Sequence, residues 1–300
     1  MNTSSGARAA IIIINWNGWE DTIACLHSCA NLDYPDFDII VVDNGSTNDS
    51  VARIRDAFPD LNLVEAGANL GFAGGNNIGI RIALDAGASY VWLLNNDTVV
   101  DTRALSALVD ACSSDASAGA AGSKITYYDR PDVLWYAGGE FTAAGPVRHR
   151  GLDEPDIGQY DSLEETGFIT GCSLLVTARA FARVGLLYDE YFLYWEETEL
   201  DWRIHAAGLR LLYAPDSVVR HKVAGSLGET WEARQTEYLV RNMLLFYRRN
   251  IPKKLPGVYL RATRTGIGHV LRRRFALANA TFGGLWRFTT GRFGPIVPKT

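Results

Sequence analysis

Short apolar runs alternate with helical patterns through the first 120 residues, and this alternation constrains the fold more than any other feature. The apolar runs are rich in β-branched residues and end in polar ones, at residues 11–15, 37–43 and 90–94. Helical patterns lie between or after them, at residues 19–29, 50–58 and 76–86, with Gly87 placed as a C-terminal cap. We therefore predict an open, mostly parallel α/β sheet with right-handed crossovers.

The second half is less regular. Residues 134–151 combine glycines with aromatic residues and predict a hairpin or a mobile loop. Residues 198–207 predict a helix that Gly208 closes, followed by strands at 209–213 and 215–221. We expect the last sixty residues to form a separate helical appendage.

Size and composition indicate a folded globular chain, since its 300 residues are 47% apolar and 21% charged. The first residues lack a signal-peptide pattern and no run approaches 18 apolar residues, so we expect a chain that is neither exported nor membrane spanning. The cysteines fit neither a disulfide framework nor a CxxC metal site, and we expect reduced thiols at Cys25, Cys29, Cys112 and Cys172.

Charge is divided unevenly along the chain. Residues 241–300 contain 13 Lys or Arg and no Asp or Glu, while the first 240 residues carry a net charge of −18. In the tail, Arg272, Arg273 and Arg274 lie among large apolar residues, which suits an anionic membrane surface at about 1 kcal/mol per basic residue. A basic helix covering the acidic body and a nucleic-acid patch are the alternatives.

Two acidic turns follow predicted strands, Asp43-Asn44-Gly45-Ser46 and Asn95-Asn96-Asp97-Thr98. In open α/β sheets, ligands bind outside the carboxyl ends of the strands. Asp43 could accept hydrogen bonds from a base or a ribose, or could serve only the local turn. Asp97 could hold Mg²⁺ or Mn²⁺, or could cap a helix that starts near Arg103.

Residues 69–77, NLGFAGGNN, place small side chains just ahead of the predicted helix. Free N–H groups there favour an anion or a hydroxyl-rich ligand. The stretch is not a GxGxxG motif after a strand, and the chain contains no GK[ST]. A nicotinamide dehydrogenase and a P-loop enzyme are therefore disfavoured.

Residues 191–203, YFLYWEETELDWR, place carboxylates among aromatic rings. On a helix, Glu199 and Arg203 would form an exposed i,i+4 pair that contributes only about 0.3 to 0.5 kcal/mol. Glu196 and Glu197 follow the aromatic residues, where partial desolvation would raise a carboxyl pKa towards that of a general base. His221 ends a predicted strand and is either structural or the completion of a metal site begun by Asp97.

The order of these motifs resembles the inverting glycosyltransferases of family 2, which have the GT-A fold and include rhamnosyl- and galactofuranosyltransferases of cell-surface polysaccharides. The motifs are INWNG (14–18), VVDNGS (41–46), NLGFAGGNN (69–77), LLNNDT (93–98), FLYWEETELDWR (192–203) and His221. The resemblance covers roughly residues 10–225.

By this resemblance, Glu197 matches the catalytic base, with Glu196 beside it, and Asp97 and His221 match the metal site for Mg²⁺ or Mn²⁺. The residues expected to bind the nucleotide sugar are Asn15, Asn17, Asp43, Asn44, Asn69, Gly71, Gly74, Asn76, Asn95, Asn96 and Asp97. The chain departs from the family at Asn95-Asn96-Asp97, which has one carboxylate, and at Glu196-Glu197, where Glu-Asp is usual. The choice of base among Glu196, Glu197 and Glu199 stays open.

The resemblance implies transfer of a sugar, such as rhamnose from its deoxythymidine-diphosphate donor, to a glycan or polyprenyl-linked saccharide. A catalytically degenerate nucleotide-sugar-binding module and a sugar-phosphate nucleotidyltransferase are the alternatives. We expect a GT-A domain at residues 1–236, with nucleotide-sugar (8–125) and acceptor (126–236) halves, and a basic amphipathic helical extension at 237–300. We expect a cytoplasmic chain at the inner face of the cell membrane, with no nucleic-acid partner.

Overall fold

The computed structural model describes residues 7–141, 147–223 and 229–296. The helices are Trp19–Cys29 (α1), Ser50–Ala57 (α2), Gly71–Asp85 (α3), Ala104–Ser114 (α4), Ala178–Val184 (α5), Glu196–Ala206 (α6), Glu229–Asn250 (α7), Leu255–Leu271 (α8) and Phe275–Thr289 (α9). The strands are Ala9–Asn15 (β1), Phe37–Asp43 (β2), Asn62–Glu65 (β3), Tyr90–Asn95 (β4), Thr98–Val100 (β5), Ala118–Tyr127 (β6), Leu134–Tyr136 (β7), Gly139–Phe141 (β8), Val147–His149 (β9), Glu164–Glu165 (β10), Ser173–Thr177 (β11) and Arg210–His221 (β12).

The central sheet is mostly parallel, which confirms the predicted fold class. Its strands lie in the order β10-β12-β6-β11-β4-β1-β2-β3, and β1 pairs in parallel with both β2 and β4. β11 runs antiparallel between β4 and β6. Because β1, β2 and β4 all run the same way, the polar residues that follow them lie at one edge of the sheet.

Side chains of β1 alternate between two hydrophobic layers, as the period of a strand requires. Ile11 and Ile13 pack in the layer that contains α1 and α4. Ile12 packs in the opposite layer with residues of α3 and α6. All four cysteines are buried and unpaired, in agreement with the expected reduced thiols.

Helix α3 begins at Gly71, five residues earlier than the sequence predicted. Its glycines belong to the helix itself, where they allow close approach to the sheet. A β-carbon on Gly79 would lie 2.5 Å from Cγ2 of Ile12, and one on Gly75 would lie 3.0 Å from Cδ1 of Ile14. The glycine-rich stretch is therefore largely a packing surface and not a loop.

One further prediction needs correction. The strands predicted at 209–213 and 215–221 form the single strand β12, with an irregularity between Ala214 and Val218 in its parallel pairing with β6. The hairpin predicted within residues 134–151 is confirmed, because β8 and β9 pair antiparallel there, after β7. Residues 142–146 lie outside the described residues.

The C-terminal residues are helical, as predicted, but α7 crosses the predicted boundary at residue 236. Its Leu244, Leu245 and Phe246 are fully buried in a third hydrophobic cluster that also contains Tyr191 and Trp195. The tail therefore shares a core with the segment that precedes α6 and is not a separate appendage.

Candidate active site

A cavity of about 670 Å³ opens at the carboxyl ends of β1, β2 and β4. Ile14, Asn44 and Asn95 form its floor, and the N-terminal turn of α3 forms one side. Phe192, Leu193 and Tyr194 form another wall, just ahead of α6. The remaining wall comes from α7, through Trp231, Arg234 and Tyr238, and from Pro295 and Ile296.

Seven of the predicted nucleotide-sugar residues line this cavity: Asn44, Asn69, Gly71, Asn76, Asn95, Asn96 and Asp97. Asn44 connects the first three, because its amide donates to Asn69 and to the Gly71 carbonyl oxygen while its Oδ1 accepts from the Leu70 N–H. Gly74 lies within α3, where a β-carbon would lie 2.7 Å from that of Leu70.

Asn15, Asn17 and Asp43 are not among the residues that line the cavity. The Asn15 amide donates to Asp43 Oδ2 at 2.7 Å, and Asp43 Oδ1 accepts from the Ser46 N–H at 2.9 Å. Asn17 has φ of 58° and its Oδ1 accepts from the Thr47 N–H. These contacts fix the loops after β1 and β2, so the three residues shape the floor from beneath.

Asp97 faces the cavity from the turn between β4 and β5, and His221 ends β12 beside it. The Nε2 atom of His221 lies 3.2 Å from both carboxylate oxygens, and Asp97 Oδ1 has no hydrogen-bond partner within the part of the chain that the structure describes. Burial lowers the pKa of His221, but Cys172 and Asp97 outweigh it and raise that pKa to about 10. Burial also disfavours the charged Asp97, yet His221 holds its pKa below the usual value.

The carboxylates of α6 lie close to this pair through residues 170–172. A β-carbon on Gly171 would lie 3.6 Å from that of Glu197, and the Cys172 carbonyl oxygen accepts from the Asn95 N–H. Cys172 also raises the pKa of His221. One short segment therefore connects Glu197 with the end of β4 that precedes Asp97, while Glu196 and Glu197 themselves are not among the residues that line the cavity.

Glu196 and Glu197 are ionisable groups in an apolar setting. Burial raises the pKa of both, and the neighbouring Glu197 raises that of Glu196 further. Each has a buried Oε2 without a hydrogen-bond partner among the described residues. Asp201 is fully buried one turn later and accepts from the Ile169 N–H at 2.7 Å.

Glu199 and Arg203 form the predicted i,i+4 pair, with Nε 2.7 Å from Oε2, but the pair is buried. Their side chains are only 1% and 13% exposed. Arg203 also donates to backbone carbonyl oxygens between α5 and the cavity wall, including that of Leu186. The pairing was therefore predicted correctly, but the prediction that the pair is exposed is wrong, because this face of α6 packs against the segment that follows α5.

Three residues before α6 have left-handed backbone: Phe192, Tyr194 and Trp195, with φ of 65°, 67° and 77°. Each such residue costs on the order of 1 to 3 kcal/mol and persists only where its surroundings fix it. At Phe192, ψ of −56° and a 2.8 Å bond from the Leu193 N–H to the Tyr191 carbonyl oxygen form the rare positive-φ γ-turn. Strain is therefore concentrated between the cavity and the carboxylates.

The sequence did not predict that residues of α7 line the cavity. Trp231, Arg234 and Tyr238 project from α7 into the cavity, spaced as one helix face requires. Their spacing is visible in the sequence, but nothing in it shows that this face meets the end of the sheet. Of the described lining residues, Arg234 is the basic one and Asp97 the acidic one.

Sequence comparisons identify the family to which the chain belongs. Residues 10–182 match the model of glycosyl transferase family 2. The N-acetylglucosaminyl-diphospho-decaprenol L-rhamnosyltransferase of Mycobacterium tuberculosis is 31% identical over 63% of this chain and 68% of its own length. A low-salt glycan biosynthesis hexosyltransferase of Haloferax volcanii is 25% identical over 67% of this chain and 63% of its own.

Solved glycosyltransferases have the same fold. The mannosyltransferase of Pyrobaculum calidifontis, solved with GDP-Man and Mn²⁺, superposes with a TM-score of 0.59, covering 96% of this chain and 89% of its own at 17% identity. GalNAc-T7, solved with UDP, GalNAc and Mn²⁺, gives 0.66, covering 88% and 51% at 16% identity. These likenesses confirm the GT-A fold, and the family match shows that the chain belongs to glycosyl transferase family 2.

Proposed function

We propose that this glycosyltransferase moves a sugar from a nucleoside-diphosphate donor to an acceptor hydroxyl, with inversion, during synthesis of a cell-surface glycan. The observation that carries the proposal is the position of residues 170–172, which pack beside Glu197 at Gly171 and accept, at Cys172, a hydrogen bond from Asn95, two residues before Asp97. In this proposal, Glu197 deprotonates the acceptor hydroxyl, and the Asp97–His221 pair lies where the diphosphate departs. Positioning and charge stabilisation would supply most of the rate.

Glu197 is the base that the geometry favours. Glu199 is committed to Arg203, and Glu196 is only 3% exposed. Glu197 is less buried as a residue, and it packs directly beside Gly171. In the proposed step, Glu197 takes the acceptor hydroxyl proton, the oxygen bonds to the anomeric carbon, and the bond to the nucleoside diphosphate breaks on the opposite face.

A divalent cation fits beside Asp97. Its Oδ1 is buried without a hydrogen-bond partner among the described residues, and carboxylate oxygen is a preferred ligand of Mg²⁺ and Mn²⁺. Within residues 7–141, 147–223 and 229–296, no cluster of three or more His, Cys, Asp or Glu side chains could hold a metal ion by itself. Asp97 would hold the ion together with donor phosphates, and His221 would join only after its imidazole releases the proton that its raised pKa retains, because metal ligands must be deprotonated. The ion would neutralise charge that develops on the leaving diphosphate.

The donor and acceptor are proposed from the relatives. The 31% identical relative is named for rhamnosyl transfer to N-acetylglucosaminyl-diphospho-decaprenol, so dTDP-L-rhamnose and a polyprenyl-diphosphate saccharide are our first candidates. The α7 wall of the cavity suits such an acceptor. Trp231 offers a ring for a sugar face, and Arg234 offers a guanidinium for a phosphate.

We also propose that α8 and α9 contact an anionic membrane surface. No described helix is long and apolar enough to span a bilayer. On α8, however, Leu260, Ile267 and Leu271 are exposed at 49%, 49% and 79%, on the side opposite buried Val258 and Ala262. On α9, Phe275, Phe282 and Trp286 form a similar exposed stripe, and Arg272, Arg273 and Arg274 are exposed between the two helices.

Transfer can be tested directly with dTDP-L-rhamnose, N-acetylglucosaminyl-diphospho-polyprenol and Mn²⁺. We expect one rhamnosyl addition with inverted anomeric configuration, and a fall in kcat of at least about 100-fold in Glu197→Gln. Glu140→Gln, at an exposed carboxylate on β8, should retain wild-type turnover. Turnover by Glu197→Gln equal to wild type would remove Glu197 as the base.

A catalytically inactive nucleotide-sugar-binding module is the second candidate, because Asn95-Asn96-Asp97 supplies one carboxylate. Thermal stabilisation by a panel of nucleotide sugars separates the two functions. A ligand at about 100 times its dissociation constant adds roughly 2.7 kcal/mol. Stabilisation without transfer to any acceptor, and without donor hydrolysis, would favour the binding module.

A further inference from the structure

The strained turn ahead of α6 requires something to hold it, and two adjacent residues of α7 meet it from inside the fold. Arg241 and Asn242 are both 0% exposed. Neither lines the cavity, and the proposed chemistry does not use them. Their contacts nevertheless converge on residues 190–194, where the left-handed backbone lies.

Asn242 binds the turn through its side-chain amide. Its Nδ2 lies 2.9 Å from the carbonyl oxygen of Tyr191, 2.8 Å from that of Leu193 and 2.8 Å from that of Tyr194. Two amide hydrogens thus serve three carbonyl oxygens. Because Phe192 and Tyr194 have left-handed backbone, this segment forms no regular helix or strand, and Asn242 donates to its carbonyl oxygens instead.

Arg241 fixes both the turn and Asn242. Its Nη2 donates to the Tyr191 carbonyl oxygen at 2.9 Å, its Nη1 to that of Gly294 at 2.6 Å, and its Nε to Asn242 Oδ1 at 2.9 Å. The last bond orients the Asn242 amide with its donors towards the turn. The described partners of this buried guanidinium are oxygens of neutral groups, and burial lowers its pKa to about 10.

The opposite side of the turn is also fixed. The Phe72 N–H donates to the Phe192 carbonyl oxygen at 2.6 Å, and the Phe192 ring stacks on Tyr238 at 5.7 Å. The turn is therefore held between the start of α3 and the middle of α7. Glu196 and Glu197 follow it directly, so the turn sets where α6 begins and where these carboxylates lie.

We propose that Arg241 and Asn242 are positioning residues, which hold the strained turn at residues 191–195 so that the Glu197 carboxylate stays in place for proton removal. This proposal rests on the proposed function for its catalytic part. The C-terminal tail thereby becomes part of the catalytic apparatus, although it lies outside the residues that match the family model. The tail acts on chemistry through the turn and without contact to the reacting atoms.

The test is an isosteric substitution, Asn242→Asp, which keeps the volume and removes the amide donors. We expect kcat for transfer from dTDP-L-rhamnose to fall about 100-fold, as a small displacement of a reacting group does, with the donor KM changed less than threefold. Hydrogen exchange followed by mass spectrometry should show faster exchange in peptides covering residues 189–197. Arg241→Lys, which cannot make the three forked bonds, should shift both readouts the same way.

Leu108→Ala is the matched control, because it truncates a buried side chain on α4 and lowers stability elsewhere. It should leave both kcat and exchange at 189–197 close to wild type. Unchanged exchange at 189–197 in Asn242→Asp would overturn the proposal whatever the chain catalyses. Faster exchange in Asn242→Asp with full turnover would also overturn it. An inactive wild type would instead refute the proposed function, and the exchange comparison would then decide by itself whether Arg241 and Asn242 hold the turn.

Discussion

At the scale of single residues, the four acidic side chains of α6 show that helix spacing sets which residues pair, whereas tertiary packing sets how deeply they are buried. The i,i+4 spacing of Glu199 and Arg203 predicted their pairing correctly, because helix geometry alone brings them together. Burial of that pair, and of Glu196 and Asp201, comes from packing against α5, β6 and β12, which no local pattern reveals.

The pH dependence of transfer should show the raised pKa of Glu197. A base acts when it is deprotonated, so burial, which raises this pKa, shifts the acid limb of kcat to higher pH than an ordinary carboxyl would give. We expect kcat to rise with pH through a value above the reference of 4.5. An acid limb at or below that reference, measured with saturating donor and acceptor, would contradict this environment.

Stability should depend on pH through Glu196. Burial and the neighbouring Glu197 raise its pKa above 4.5, so the folded chain holds this proton more tightly than the unfolded chain. The resulting stability is complete below pH 4.5 and is lost as pH rises through the raised pKa. As pH rises from 5 to 8, the melting temperature of Glu196→Gln should therefore increase relative to that of wild type.

The control for this comparison is Glu140→Gln on the exposed face of β8, whose melting curve should follow wild type at every pH. Parallel pH profiles for Glu196→Gln and wild type would show that Glu196 titrates as an exposed carboxyl does.

At the scale of elements, α3 shows how one helix joins the sheet to the strained turn. Gly71 opens the helix with φ of 73°, and a β-carbon there would lie 2.2 Å from the Phe192 carbonyl oxygen. Asn69 and Asn44 bind the same turn of backbone from the β2 side. The helix start, the loop after β2 and the turn before α6 therefore depend on one another.

Gly71→Ala should destabilise the fold by more than a left-handed residue alone. We expect a loss of about 2 to 5 kcal/mol, of which about 1 to 2 comes from φ and the remainder from overlap with Phe192. Gly87→Ala is the matched control, because its φ is 83° and its β-carbon would meet nothing within 4 Å. Equal losses for the two variants in urea denaturation would show that the contact with Phe192 is easily relieved.

At the scale of the whole molecule, the two halves of the charge distribution have separate tasks. The first 240 residues carry a net charge of −18 and supply most of the cavity lining, so a cation would help the proposed donor diphosphate to bind there. The tail contributes 13 basic residues, and part of it closes the cavity while α8 and α9 keep apolar side chains exposed.

Replacing Arg272, Arg273 and Arg274 by Gln should weaken binding to vesicles of anionic lipid by about 100-fold at low salt, since each basic residue contributes about 1 kcal/mol. Nucleotide-sugar affinity should not change. Replacing three exposed arginines of the body, Arg130, Arg148 and Arg183, removes the same charge and should leave vesicle binding intact. Equal effects of the two triple variants, measured by sedimentation, would show that net charge and not the tail governs binding.

The sequence by itself determined the sheet and the nature of its active edge. Alternating apolar runs and helical patterns set β1, β2, β4 and α1 nearly to the residue, because strand and helix periods are local properties. The same locality predicted that polar residues after these strands would meet. Seven of the residues predicted in this way line the cavity. The glycines of α3 were interpreted wrongly, because their role is to let the helix pack closely on Ile12 and Ile14, which is a tertiary contact.

Only the tertiary structure decided how the tail and the acidic segment combine. The contacts from Arg241 and Asn242 to residues 190–194 join positions about fifty residues apart, and the Asp97–His221 contact spans 124. Such contacts follow from how helices and strands pack in three dimensions, and neither period nor composition records them. The left-handed turn at Phe192 is the clearest case, since its own sequence disfavours the conformation that its neighbours impose.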